Sequence, residues 1–150
     1  MAEILDAMTM YEICLLHSKS DRQLRLVVSR ELERFEITMM QWLLLETVSK
    51  GPNSGMRMTE LSEQLDVTMP QITALMNDLV ELKLAKQKIN SSDRRSRRLS
   101  VTSTGKKRLD DINMSIDNAL KVWLSEVPGS SLKGYFDTLK LISEMDSNKD

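Results

Sequence analysis

The chain has 150 residues, 41% of them hydrophobic, and a formal net charge of −1. That is enough chain for one domain with a real core, and too apolar a composition for a disordered one. No apolar run reaches the ~20 residues that a membrane-spanning helix needs, so no membrane partner is expected.

The opening "MAEILDAMTMYEIC" is acidic where an export signal needs basic residues. A single cysteine excludes an internal disulfide and fits a reducing, cytoplasmic setting. No P-loop, serine triad or paired-carboxylate pattern stands out, so an enzyme is not expected. Cys14 and His17 lack further ligands for a metal site, and no cofactor is expected either.

The near-neutral net charge conceals an asymmetry. Residues 83–108 hold ten basic side chains against one acid, Asp93, which leaves eleven basic and twenty-one acidic residues elsewhere. A basic segment on an acidic body implies an anionic partner met by one face.

In chain order, residues 3–35 form a long amphipathic pattern with Leu24, Val28, Leu32 and Phe35 on one stripe. Thr38 is placed to cap the next helix, with Met39, Leu43 and Val48 expected inward. Residues 50–55, "KGPNSG", are a loop by composition. Thr59 is expected to cap a short helix carrying Leu61 and Leu65, followed by a turn at 66–68. Thr68-x-x-Gln71 is a capping box that opens a second helix. That helix is expected to bury Ile72, Leu75, Met76, Leu79 and Leu82 and to expose Gln71, Thr73, Ala74, Asn77, Asp78 and Glu81.

Residues 85–89 and 97–101 read as two strands with Ile89, Leu99 and Val101 on one side, and 90–96, "NSSDRRS", as a long polar turn. Two short helices across a tight turn, followed by a basic hairpin, spell a winged helix. Beyond it, Leu109, Ile112, Ile116, Ala119 and Trp123 recur at three- and four-residue steps, the seam of a helix seeking a partner. Another amphipathic helix is expected at 132–142, after Pro128-Gly129.

The stretch "MTELSEQLDVTMPQITALMNDLVELKLAKQKINSSDRRSRRLSVTSTG" resembles the core of the MarR family of transcription factors. The residues carrying it are Leu61, Leu65, Val67, Thr68, Thr73, Leu75, Leu79 and Leu84, then Asp93-Arg94-Arg95-Ser96, Thr102 and Gly105. The resemblance implies a homodimer on double-stranded DNA, with residues 68–82 in the major groove and the wing at 90–96 in the minor groove. The implied DNA-facing set is Thr68, Met69, Pro70, Gln71, Thr73, Ala74 and Asn77 on the helix, with Lys88, Asp93, Arg94, Arg95 and Arg97 on the wing. It further implies that Asp93 orients Arg95, and that the N- and C-terminal helices hold the dimer.

The chain departs from the family pattern at Ala74 and Asp78, where members commonly carry basic residues; no Lys or Arg occurs at 68–82. Phosphate attraction then falls to the wing, Lys86, Lys88 and residues 106–108, while Gln71, Thr73 and Asn77 remain to read base edges. Cys14 occupies the position of the reactive cysteine of hydroperoxide-sensing members, but the tyrosines that accompany it there are replaced by Ser18, Val28 and Met39. Met39, Met40 and Trp42 stand where members hold small aromatic effectors.

The expected protein is mainly α, one domain over 1–150. A winged helix-turn-helix core at about 36–101 is flanked by dimerisation helices at about 3–35 and 102–146. The expected function is a DNA-binding transcriptional regulator relieved by a small ligand. A thiol-based redox regulator using Cys14, or a winged-helix protein-interaction adaptor without an operator, are the alternatives.

Overall fold

The computed structural model describes the backbone of residues 9–90 and 93–145 and the side chains of 9–88 and 97–145. The expected helix start at residue 3, the hairpin tip at 91–92 and the side chains of Ile89, Asp93, Arg94 and Arg95 lie outside the described residues. Within them, helix α1 (Met10–Glu33) is followed by α2 (Met39–Lys50), β1 (Met56–Arg57), α3 (Met58–Leu65), α4 (Met69–Glu81), β2 (Ala85–Asn90), β3 (Asp93–Val101), α5 (Ser103–Trp123) and α6 (Gly129–Glu144). The strands form one antiparallel sheet in the order β1-β3-β2. This is the mainly α winged helix that the sequence leads one to expect.

Helix starts follow side-chain chemistry closely. Thr9 and Thr38 each complete a reciprocal capping box: their hydroxyls accept the backbone N–H of Glu12 and Gln41, whose side chains accept the threonine N–H in return. The start of α3 departs from expectation. Arg57, not Thr59, is its N-cap, and the Glu60 carboxylate accepts the Arg57 backbone N–H at 2.8 Å. Met56 and Arg57 pair with Leu99 and Arg98, which anchors the helix start two residues earlier than the sequence suggests.

Three helix ends share one device. Glu36, Asp66 and Lys83 adopt left-handed backbone angles (φ 53°, 50° and 60°). In each case the next residue, apolar, sends its N–H to a carbonyl five positions back: Ile37 to Leu32, Val67 to Ser62 and Leu84 to Leu79, at 3.0–3.2 Å. This satisfies orphan carbonyls and turns an apolar side chain back onto the core. Ile37 and Leu84 are buried as a result.

The core runs from Val28 and Leu32 of α1 through Leu44, Leu45 and Val48 of α2 to Leu61, Ile72, Met76 and Leu79 of the paired helices. Leu99 of β3 and Leu109, Ile112 and Ile116 of α5 complete it. Two expectations are corrected. On α2 the fully inward residues are Leu44 and Leu45 rather than Met39 and Leu43, because neighbours on both flanks widen its buried face. Leu82, expected inward, is 47% exposed: the chain leaves the helix there, and Leu84 packs in its stead.

α5 begins against the end of α4. Thr102 caps α5 by accepting the Gly105 N–H at 2.9 Å. Its own N–H and hydroxyl donate to the Leu84 carbonyl at 3.0 and 3.1 Å, and the hydroxyl also reaches the Lys83 carbonyl at 2.8 Å. Gly105 has no room for a side chain: a Cβ there would collide with the Leu84 carbonyl and stand 2.9 Å from Val101 Cγ1. Gly105→Ala is therefore expected to destabilise the fold by about 2 kcal/mol or more, since backbone rather than a flexible side chain must move. Urea unfolding at constant m-value measures this; a loss within error of zero would mean that α5 is not seated on that carbonyl.

Candidate nucleic-acid interface

The turn between α3 and α4 is fixed by Asp66 in the left-handed region and by the Ser62 hydroxyl, which donates to the Val67 carbonyl at 2.6 Å. α4 then opens with Pro70 in its first turn, where a missing N–H costs nothing. Ile72, Met76 and Leu79 lock one side of α4 into the core. The opposite side presents Thr68, Met69, Pro70, Gln71, Ala74 and Asn77 to solvent as a contiguous surface.

Two expected base readers are partly committed. Thr73 is half-buried, and its hydroxyl donates to the Met69 carbonyl at 2.8 Å. The Gln71 Oε1 accepts both the N–H and the hydroxyl of Thr68 at 2.9 Å. Gln71 therefore offers a groove only its amide N–H2. Bidentate pairing with adenine requires the carbonyl as well, so acceptors such as guanine O6 and N7 or thymine O4 suit it better. The acid at Asp78 is tied away, its Oδ2 accepting from Gln41 Nε2 of α2 at 3.1 Å.

The wing differs from its expected shape. Residues 93–96 are not part of a long turn: β3 begins at Asp93, and the ladder closes at Asn90↔Asp93 after an irregularity between Lys88 and Asn90. Backbone pairing carries a strand through "DRRS" although those side chains show no apolar alternation. Arg94 and Arg95 thus stand on a strand beside the tip. Further along, Arg97 shares the core-side parity of Leu99 and is half-buried, while Lys88 is exposed on β2. Arg98, not singled out in the sequence, donates through Nη1 to the Gly55 carbonyl at 2.8 Å.

Arg108 is removed from the phosphate-contacting set. Its Nη2 donates to the Phe35 carbonyl at 2.9 Å and its guanidinium lies 5.3 Å from the Phe35 ring centroid, closing the end of α1. Lys106 and Lys107 are exposed.

The expected dimer seam divides. Leu109, Ile112 and Ile116 are buried in this chain's own core, so a partner cannot reach them; the heptad-like spacing reflects packing on α1 and α2. Ala119 is half-buried and Trp123 is 40% exposed. Unpartnered apolar side chains gather elsewhere, as Met10, Tyr11, Leu15 and Leu16 on α1 and Phe136, Leu141 and Ile142 on α6, a helix without one buried residue.

Cys14 and His17 are exposed on that part of α1. Met39 and Trp42 pack partly against the core. Trp42 Nε1 donates to Asn113 Oδ1 at 2.9 Å, and Asn113 Nδ2 to Glu46 Oε1 at 2.5 Å, a polar tie between α2 and α5. On α1, the Ser115 hydroxyl, followed by Arg34, holds the Glu31 carboxyl below its ordinary range against the raising effect of burial.

A tight helix pair, an exposed polar face on the second helix and a basic antiparallel hairpin beside it define a winged helix-turn-helix protein. Residues 35–96, the span from the end of α1 to the wing, match the model of the MarR family.

Solved structures share the fold over nearly the whole length. A MarR-family transcriptional regulator from Rhodococcus sp. RHA1 is 19% identical, with 91% of this chain and 96% of that one covered and a TM-score of 0.81. CouR from Rhodococcus jostii RHA1, solved bound to p-coumaroyl-CoA, is 21% identical over 89% and 93%, with a TM-score of 0.76. MepR from S. aureus, solved as a DNA complex, is 20% identical over 88% and 97%, with a TM-score of 0.74. Among the described residues, no helix is long and apolar enough to cross a membrane.

Gln71→Glu separates capping from reading. Glutamate preserves the box with Thr68 but removes the amide donors, whereas Gln71→Ala loses both. Gln71→Glu is expected to keep the wild-type melting temperature and to lose DNA affinity by about 1–3 kcal/mol per half-site at a G or T contact. Thermal melts beside binding isotherms test this; unchanged affinity in Gln71→Glu would remove Gln71 from the base contacts.

Proposed function

We propose that this protein is a homodimeric transcriptional regulator that grips operator DNA with α4 in the major groove and the β2–β3 wing in the adjacent minor groove, and that a small aromatic ligand releases it. The observation carrying this reading is the solvent-facing start of α4, from Thr68 to Asn77, beside a hairpin of opposite character rich in arginine. The fold shared with MepR, solved on DNA, supports it. A cytoplasmic setting goes with that role.

The dimer reading rests on apolar surface. Met10, Tyr11 and Leu16 on α1 with Phe136, Leu141 and Ile142 on α6 are 52–73% exposed. Patches of this kind on a single chain mark an interface. A two-fold pair would set its recognition helices about 34 Å apart, one turn of duplex. Leu141→Asp with Ile142→Asp is expected to yield a folded monomer by sedimentation whose operator affinity falls about a hundredfold or more through lost bivalency. A variant that sediments as wild type would move the interface elsewhere.

For the ligand, a cleft of about 510 Å³ opens between α1 and α5. Val27, Val122 and Trp123 supply apolar walls, Arg30 supplies a cation, and Arg34 lines the cleft paired with Glu31 at 2.8 Å. An aromatic carboxylate or aromatic acyl thioester fits that mixture, and CouR, solved with p-coumaroyl-CoA, supports the class.

The wing is tested on an operator selected from random duplexes. Arg95→Ala is expected to cost about 1–3 kcal/mol per half-site and to blunt preference for narrow A·T-rich steps. Arg97→Ala is expected to weaken all sequences alike and to lower the log–log salt slope by about one. Asp93→Ala should weaken binding although it makes the wing more positive, on the reading from the family resemblance that Asp93 orients Arg95; a tighter complex would show that charge alone governs the wing.

A further inference from the structure

The outer face of the wing sheet carries a cluster of cations that the reading of base edges does not employ. In the sheet register Arg57 stands opposite Arg98, and Arg98 opposite Lys88, so one row across all three strands is entirely basic. Neighbouring strands lie about 4.8 Å apart, which brings three positive side chains within about 10 Å. Like charges placed directly opposite one another destabilise a sheet. None of the four ion pairs among the described residues engages these three side chains. Glu60 is the carboxylate placed nearby, and it is occupied with the Arg57 backbone N–H.

Two residues along the strands the same face continues as Lys86 opposite Ser100. There a small polar cleft of about 110 Å³ opens, lined by Ser49, Asn53, Lys86, Lys88, Ser100 and Lys106. Lys106 comes from the first turns of α5, whose amino end adds the positive potential of its dipole. With liquid water at ~30 Å³ per molecule, the cleft has room for one phosphate group rather than a whole nucleotide. Ammonium groups, the Ser49 hydroxyl and the Asn53 amide around one small cavity are a donor set for an oxyanion, while the Ser100 hydroxyl is turned to the Lys86 carbonyl at 3.5 Å.

We propose that this cleft, with the basic row beside it, is a phosphate-binding site distinct from the base-reading surface of α4. The phosphate is either a backbone phosphate of DNA running past the wing or the phosphate of a free metabolite. The site itself stands independently of the operator reading, and only the assignment of its source uses DNA.

Inorganic phosphate titrated into the DNA-free protein, followed by 15N–1H spectra, tests the site first. Saturable shifts are expected at Ser49, Asn53, Ser100 and Lys106, and they should vanish in Lys86→Gln with Lys106→Gln. Absent shifts, or shifts that persist in the double variant, overturn the proposal whatever the DNA result. Both substitutions are at exposed positions, and a far-UV spectrum checks the fold; the wild-type shift map decides even if the variant unfolds.

The source follows from salt dependence on a duplex that extends past both half-sites. A DNA source predicts a log–log slope shallower by about one per protomer in the variant, for the one phosphate the cleft holds. A free metabolite predicts equal slopes, with added phosphate altering the DNA affinity of wild type alone. Failure to bind any duplex would refute the operator reading and leave the phosphate titration standing.

Discussion

The Leu84 carbonyl is the joint on which the rest of the structure depends. It receives two hydrogen bonds from Thr102 and the bare backbone of Gly105. Leu84 itself closes the end of α4 through its N–H to Leu79 and buries its side chain. One residue thus fixes where α4 stops, where the wing departs and where α5 begins. With the Thr102 backbone and hydroxyl both bonded to it and no room for a side chain at Gly105, that joint is stiff.

Attraction and discrimination are divided between elements. α4 carries no Lys or Arg, one of its acids is held by Gln41, and its leading amide is half consumed by its own cap. Charge resides on the hairpin and at the start of α5, and the rest of the chain is acidic. A helix without cations contributes little to sequence-independent affinity, which comes from phosphates, and so concentrates what it does contribute in base contacts. In this chain the positive charge lies on the wing sheet and the start of α5 rather than on α4.

The long helices divide their labour by depth. α5 sends Leu109, Ile112 and Ile116 into the core and carries polar ties to both neighbours, through Asn113 to Trp42 and Glu46 and through Ser115 to Glu31. α6 makes no such contribution: Leu132 and Leu139 are half-buried, and its Phe136, Leu141 and Ile142 stay in solvent together with the apolar residues at the start of α1. A single chain therefore has a finished winged core and an unfinished helical rim.

The sequence by itself determined the elements whose cause is local. Thr38 and the Thr68–Gln71 box start helices because a hydroxyl or amide three residues away satisfies an otherwise orphaned backbone group. The apolar spacing at Ile72, Met76 and Leu79 orients α4, and Thr102 and Gly105 mark the joint. It also singled out the basic hairpin, since charge is legible without coordinates. Only the tertiary structure decided what depends on neighbours distant in the chain. Two residues, Met56 and Arg57, are too short a strand for any periodicity to reveal, and only pairing with β3 makes them one and sets Arg57 beside Arg98. The Leu109–Ile116 stripe has the same spacing whether it meets a partner or its own core, because periodicity records that a face is buried and not by what. Whether an arginine is free or spent is likewise invisible in sequence: Arg108 is spent on the Phe35 carbonyl, a contact 73 residues away in the chain.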